Sequence, residues 1–146
     1  MHNLSLPVQV LRDGATVPRY AHPGDAGMDL YAYEGAVIAP HQRVLMPTGI
    51  SIAIPEGYAG FVLPRSGNAI RRGLSLPNTP GLIDSGYRGE LMVALVNLDH
   101  AEAVRIEPGD RIAQLVLVPV ASATPVLVDS LDVTSRGEGG FGSSGR

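Results

Sequence analysis

The sequence predicts an all-β protein that forms a jelly-roll-like β-barrel with one short helix. Short apolar stretches recur along the 146 residues, and turn signals separate them. The 12 prolines and 18 glycines are spread along the whole chain, which favours short elements joined by tight turns. The length fits a single domain that buries a core. Aliphatic side chains dominate this core, because aromatic residues make up only 5% of the chain.

The positions of the turn signals set the bounds of the predicted elements. The stretch 50–54 alternates large apolar residues with Ser51 and Ala53, which is typical of a strand. A short helix is expected where Ser66 is available as N-cap and Gly73 as terminator. The predicted strands are 8–11, 28–33, 44–46, 50–54, 60–63, 91–97, 103–106, 112–120 and 126–128, and the predicted helix is 66–73.

Two parts of unequal size are expected, a β-barrel domain over 1–134 and a flexible C-terminal arm over 135–146. From about Thr134 the composition changes to Gly, Ser and Arg with one aromatic residue. Such a segment buries too little apolar surface to fold independently.

Composition removes several classes of chemistry. The chain has no Cys and no Lys, which excludes thiolate nucleophiles, zinc-thiolate sites and Schiff bases. His2, His22, His41 and His100 show no metal-ligand spacing, so a transition-metal site is not expected. An oxygen-coordinated Mg²⁺ carried by substrate phosphates stays possible. A net charge of -3 makes nucleic acid an unexpected partner.

The sequence also predicts a cytoplasmic protein without membrane contact. Residues 1–11 do not combine a basic region with a following apolar stretch, as a signal peptide would. No apolar run approaches the roughly 20 residues that cross a bilayer.

The segment 81–90 is the most informative part of the chain. Its glycines bound a turn with one carboxylate, Asp84, and one large aromatic residue, Tyr87, before an apolar run. Such a turn suits a β-hairpin and a loop that carries chemistry. A carboxylate placed there is a candidate general base for a hydrolytic water. The alternatives are that Asp84 only shapes its turn and that Tyr87 is ordinary packing.

Other candidates lie elsewhere in the chain. Arg65 and Ser66 open the predicted helix, where amide groups and a guanidinium suit phosphate; the alternative is a plain N-cap beside a solvated Arg. Gln114 is polar within an apolar run and needs a partner. The alternative for Asp29 is an ordinary carboxylate in a turn or at a strand end. In the arm, glycine N–H groups can wrap phosphate oxygens, Arg136 can neutralise charge and Phe141 can stack on a base; the alternative is an idle disordered tail.

Five segments together, 26–30, 64–69, 81–90, 109–115 and 136–145, resemble in that order the five motifs of the trimeric deoxyuridine triphosphate nucleotidohydrolases (dUTPases). The resemblance runs from about Ala21 to the C-terminus. It implies Mg²⁺-assisted hydrolysis of dUTP to dUMP and pyrophosphate, which keeps uracil out of DNA and supplies dUMP for thymidylate synthesis. It also implies a homotrimer with each site assembled from more than one chain.

The resemblance further implies roles for single residues. Asp84 activates the attacking water and contacts the 3′-hydroxyl, and Tyr87 stacks under the deoxyribose and excludes a 2′-hydroxyl. The uracil pocket is formed by Asn78 together with main-chain groups near Gly81, Leu82, Ile83 and Met92.

For the phosphates, the resemblance implies contacts from Arg65, Ser66, the Gly67 amide and Gln114. Asp29 organises the metal's water shell or the arginine network. Many family members have Gly-Arg-Ser-Ser where this chain has Pro-Arg-Ser-Gly, so a role of the second hydroxyl falls to backbone or water. The arm closes as a lid over the nucleotide through Arg136, Phe141, Gly142 and Ser143.

Two rival functions remain. dCTP deaminases share the fold and several motifs, but they carry a catalytic Glu where this chain has Ala94. A non-catalytic β-barrel that binds sugars or single-stranded nucleic acid is the other, and no basic aromatic-rich groove supports it.

Overall fold

The computed structural model describes residues 3–146, which are mostly β with one short helix. Met1 and His2, which the sequence analysis included in the domain 1–134 and, for His2, among the histidines without metal-ligand spacing, lie outside the described residues. The elements in chain order are β1 Val8–Val10, β2 Met28–Tyr31, β3 Ala36–Ile38, β4 Arg43–Pro47, β5 Ile50–Ile52, β6 Tyr58–Leu63, α1 Ser66–Arg72, β7 Leu74–Ser75, β8 Gly81–Ile83, β9 Met92–Asn97, β10 Val104–Ile106 and β11 Arg111–Pro119.

Two sheets carry most of the strands. The four-stranded sheet has the order β2-β11-β6-β8, and the three-stranded sheet has the order β4-β9-β7, with antiparallel pairing throughout. The remaining pairs are β1 with β5 and β10 with β3. Strand β8 is therefore an edge strand, because its recorded ladder is with β6 alone.

Both larger sheets contribute to one hydrophobic core. Leu30 and Leu115 from the four-stranded sheet are fully buried, and so are Val93 and Leu95 from the three-stranded sheet. Burying such a side chain stabilises the fold by about 1.5–3 kcal/mol. The shared core fixes the two sheets against each other, and with them the loops that run from one sheet to the other.

All the predicted strands except the last are present, with ends that shift by a few residues. The predicted strand 126–128 is wrong: these residues are exposed and have no ladder partner within residues 3–146. Apolar sequence alone favoured it, but strand formation needs a neighbouring strand. Strands β3, β7 and β8, of two or three residues each, are not among the predicted strands.

The predicted β-hairpin in 81–90 is also wrong. Strand β8 pairs with β6, whereas β9 pairs with β4 and β7, so the two strands flanking the loop belong to different sheets. The loop between Ile83 and Met92 is longer than the two to five residues of common hairpin loops. It allows the chain to cross from one sheet to the other.

The predicted helix is confirmed, with one change at its start. Its N-cap is Arg65 in an extended conformation, without a side-chain capping hydrogen bond, so Ser66 is the first helical residue rather than the cap. Gly73 ends the helix in the left-handed conformation (φ 65°), as predicted.

Beyond β11 nearly all residues are exposed, and the chain has no helix or strand, only irregular stretches, bends and turns. The domain boundary at 134, the flexibility of the arm and the closure of a jelly-roll barrel stay predictions. Within residues 3–146, no helix has the length and apolar character that crossing a membrane requires.

Candidate functional site

A cavity of about 190 Å³ lies where the chain crosses between the two sheets. An apolar cavity of about 150 Å³ is enough for benzene, so this space suits one six-membered ring. The structure brings together here the residues that the sequence predicted for base and sugar: Asn78, Gly81, Leu82, Ile83, Asp84, Tyr87 and Met92. Ala94 lines the same cavity.

Main-chain groups are available in this cavity because β8 is an edge strand. Its residues pair with β6 on one side only, from Gly60 opposite Ile83 to Val62 opposite Gly81. No ladder on the other side of β8 is present within residues 3–146, so the N–H and C=O groups that point there are available to a ligand, as at any sheet edge. Gly81 is buried, and a Cβ there would lie 3.4 Å from Asn78 Nδ2 and from Val62 Cβ. The small residue keeps the strand close to this wall of the cavity.

The side chain of Asp84 is free to act on a ligand. Its carboxylate makes no hydrogen bond or ion pair within residues 3–146; only its backbone C=O accepts a bond, from the Tyr87 N–H at 3.1 Å. By contrast, the carboxylates of Asp99 and Asp110 accept backbone N–H groups in their own turns. Asp84 therefore does not shape its turn through its side chain.

A second cavity, of about 540 Å³, contains the residues predicted for phosphate and metal. Asp29, Arg65, Ser66, Gly67 and Gln114 line it together. No hydrogen bond of the Ser66 hydroxyl is recorded within the described residues. We refer to these five residues as the phosphate cradle.

Asp29 is buried and organises arginines rather than offering a free carboxylate. Its Oδ1 accepts a 2.9 Å bond from Arg65 Nε, and its Oδ2 lies 3.8 Å from Arg111 Nη1. Both carboxylate oxygens thus face guanidinium groups. This geometry does not fit direct coordination of Mg²⁺ by Asp29, and it supports the expectation that any contact with a metal is indirect.

Gln114 has the partner that its position in an apolar strand requires. Its Nε2 donates to the Pro64 C=O at 2.9 Å. Its Oε1 points toward Gly27, where a Cβ would lie only 2.5 Å away. Gly27 therefore leaves the space in which the Gln114 amide is oriented.

The structure keeps the predicted site residues in separate groups. We call the 190 Å³ cavity around Asp84 and Tyr87 the base-and-sugar cavity. It shares no lining residue with the cavity of the phosphate cradle. The four predicted arm residues line neither: Arg136 Nε donates to the Gly139 C=O at 2.8 Å, Phe141 is wholly exposed, and Gly142 and Ser143 lie in the following turn. A single chain does not bring all predicted residues together.

The dUTPase family model matches residues 13–145. The chain belongs to the dUTPase family. The deoxyuridine 5'-triphosphate nucleotidohydrolase of Cutibacterium acnes (strain DSM 16379 / KPA171202) is 55% identical over 129 residues, which are 88% of this chain and 85% of that protein.

Solved dUTPase structures have the same fold. A mutant dUTPase of Staphylococcus bacteriophage 80alpha, with dUpNHpp bound, has a TM-score of 0.91 and 32% identity over 99% of this chain and 100% of that chain. A mutant dUTPase from phage phi11 of S. aureus, described with the coordination of a structural Mg(II) ion, has a TM-score of 0.80 and 29% identity, covering 87% and 98% of the two chains.

This dUTPase-family chain also contains an ion pair that sequence reasoning missed. Arg12 Nε donates to Glu90 Oε1 at 2.6 Å, and the Arg12 guanidinium lies 5.4 Å from the centre of the Tyr33 ring. The Glu90 C=O accepts the Tyr87 hydroxyl at 2.9 Å. The hydrogen bond to Glu90 raises the pKa of Arg12 above its ordinary value. The pair is separated by 78 positions in sequence, so no local pattern pointed to it.

We expect Arg12→Met to lower the thermal midpoint by about 5 °C, measured at fixed protein concentration. The reason is the Glu90 carboxylate, whose side chain is 15% exposed and whose Oε2 is buried without a partner within residues 3–146. Losing Arg12 leaves this charge uncompensated.

The matched variant Glu90→Gln keeps an acceptor for Arg12 and removes the buried charge, so it lowers the midpoint less. Combining it with Arg12→Met recovers part of the loss. An Arg12→Met protein that melts with the wild type would contradict the role of this pair.

Proposed function

We propose that this protein hydrolyses dUTP to dUMP and pyrophosphate, as the names of its relatives indicate for those proteins. The observation that carries the proposal is the cavity for a single ring, with the unpaired Asp84 carboxylate and the Tyr87 ring at its wall, in a chain of the dUTPase family. The activity keeps uracil out of DNA and supplies dUMP for thymidylate synthesis. We expect it in the cytoplasm.

The base and sugar are recognised in the 190 Å³ cavity. The free main-chain groups of β8 and the Asn78 amide bind the uracil edge, and the wall of the cavity excludes a methyl group at C5. The Tyr87 ring packs under the deoxyribose, where it leaves no room for a 2′-hydroxyl. Its hydroxyl bond to the Glu90 C=O holds the ring in that orientation.

The triphosphate binds in the phosphate cradle. Arg65, Ser66 and the Gly67 amide offer donors to phosphate oxygens, and the Gln114 amide completes the set. Asp29 keeps Arg65 oriented through its 2.9 Å ion pair. Mg²⁺ bound with the substrate would supply charge neutralisation at the phosphates. The protein's acidic contribution to holding it would be indirect, through Asp29 and water.

Hydrolysis is a single in-line displacement at the α-phosphorus. Asp84 accepts a proton from the attacking water, whose oxygen forms the new bond to phosphorus. The bond from phosphorus to the bridging oxygen breaks, and pyrophosphate leaves with the electron pair. Ser66, Gln114 and Arg136 stabilise the charge that moves toward the leaving group. No covalent intermediate is needed, which agrees with a chain without Cys or Lys.

A homotrimer completes the site. The base-and-sugar cavity and the phosphate cradle have no lining residue in common within one chain. We propose that the cavity of one chain faces the cradle of another, so that Asp84 reaches the α-phosphate. The arm supplies Arg136, Phe141, Gly142 and Ser143 as a lid that excludes water from the phosphates.

Release of pyrophosphate from dUTP, dCTP, dTTP and UTP, each with and without Mg²⁺, tests this function. We expect turnover of dUTP alone and only with the metal. Ammonia release from dCTP would indicate the deaminase instead, which Ala94 disfavours because a methyl side chain cannot transfer protons. Binding of sugars or single-stranded nucleic acid without turnover of any nucleotide would indicate a binding module.

Asp84→Asn is expected to lower kcat by about 10²–10⁴-fold, the usual contribution of a general base. Its affinity for a non-hydrolysable imido analogue and its thermal midpoint stay near those of the wild type, because the carboxylate makes no hydrogen bond within residues 3–146. Asp129→Asn, at an exposed position away from both cavities, is the control. A fully active Asp84→Asn enzyme would remove Asp84 from the mechanism.

A chain that ends at Ser135 is expected to fold and assemble but to lose about 100-fold or more in turnover, because it lacks Arg136 and the lid. Assembly is measured by sedimentation and turnover by pyrophosphate release. The control lacks only Arg146 and keeps full activity. If the chain ending at Ser135 is as active as this control, the arm is no lid.

A further inference from the structure

Arg71 lies in the cavity of the phosphate cradle, although no motif pointed to it. It is on α1, four residues after Gly67, and it lines the same cavity. Helical side chains lean toward the N-terminus, so residues four apart share a face. The Arg71 guanidinium therefore reaches back over Gly67: a Cβ built on Gly67 would lie 2.5 Å from Nη2 and 3.2 Å from Cζ.

The space for this guanidinium exists because position 67 has no side chain. Gly67 does not need its glycine for backbone reasons, because its φ lies outside the left-handed region. Alanine is also the better helix former. A glycine inside the first turn of a short helix lowers its stability. At position 67 the absent side chain leaves space for the Arg71 guanidinium.

The charges of the cavity show why this arginine matters. Asp29 Oδ1 pairs with Arg65 Nε at 2.9 Å. Asp25 Oδ2 lies 3.5 Å from His22 Nδ1 and also accepts the His22 backbone N–H. The carboxylates of Asp25 and Asp29 balance the formal charges of Arg65 and Arg71. Counting Arg111, which lies 3.8 Å from Asp29, loss of Arg71 would leave no net positive charge for a triphosphate.

Arg71 is also uncommitted. No ion pair or side-chain hydrogen bond of Arg71 is recorded within the described part of the chain, whereas its neighbour Arg72 donates to the Arg105 C=O. A guanidinium carries five N–H donors in a fixed fork that matches phosphate oxygens. We propose that Arg71 is a phosphate-binding residue of this enzyme and that Gly67 makes the room for it. The inference rests on the proposed function, because it assumes that the cradle holds the triphosphate of dUTP.

The test compares Arg71→Gln with Arg72→Gln, two neighbouring variants with the same change of net charge. Calorimetry measures the affinity of each for a non-hydrolysable imido analogue of dUTP and for dUMP. We expect Arg71→Gln to weaken binding of the triphosphate about 10- to 100-fold, as loss of a charge-assisted hydrogen bond does. The loss for dUMP is smaller, since dUMP carries less charge. Arg72→Gln binds both like the wild type.

A second arm of the experiment uses Gly67→Ala, which keeps the amide but displaces the guanidinium. We expect it to weaken triphosphate binding in the wild-type background and to add nothing in the Arg71→Gln background. Its thermal midpoint stays at or above that of the wild type. Additive losses would overturn the assignment of Gly67 as the residue that makes room.

The result that overturns the role of Arg71 is equal affinity of Arg71→Gln and Arg72→Gln for the triphosphate analogue. Wild-type turnover of dUTP separates the two levels of failure. If the wild type neither hydrolyses dUTP nor binds its analogue, the proposed function fails. If the wild type does both while Arg71→Gln matches its control, only this inference fails.

Discussion

The candidate site depends on the crossing of the chain from the four-stranded to the three-stranded sheet between Ile83 and Met92. Leu91 anchors this crossing. It is buried, its N–H donates to the Ile50 C=O at 2.8 Å, and its C=O accepts the Thr48 hydroxyl at 2.7 Å. Because the core fixes both sheets, the loop before Leu91 is held over a gap between them. The cavity, the free edge of β8 and the exposed position of Asp84 all follow from this one connection.

The two cavities differ in whether their acidic side chain is paired. In the base-and-sugar cavity the Asp84 carboxylate has no partner within residues 3–146, which leaves its lone pairs available to a water. In the phosphate cradle the buried Asp29 holds Arg65 in place. Under the proposed function, a triphosphate in the cradle would meet Arg65 and Gln114 side chains whose orientation is already fixed, so little reorganisation of these two would be needed when charge develops. Asp84 thus has no partner within residues 3–146, as the proposed proton transfer requires, whereas Asp29 positions the Arg65 guanidinium.

How far the sequence predicts this molecule depends on the range of each interaction. Each motif of the site consists of residues that are close together in sequence, so Asp84, Tyr87 and the Arg65 segment could be identified from the sequence alone. The helix end at Gly73 is local too. Pairing of β8 with β6 is not, because the sequence 81–83 fits equally well in a hairpin with β9. The Arg12–Glu90 pair joins positions 78 residues apart, and no local pattern encodes it.

The segment before the arm shows the same limit and offers a physical reason for the proposed homotrimer. Val126, Leu127, Leu131 and Val133 are apolar and exposed, which is why the sequence favoured a strand near them. Exposing such side chains to water is unfavourable, and the same chain provides no ladder for them within residues 3–146. In the proposed homotrimer a neighbouring chain would cover this segment. That contact would also carry the arm, with Arg136, toward a cradle other than its own, which is consistent with a site that no single chain completes.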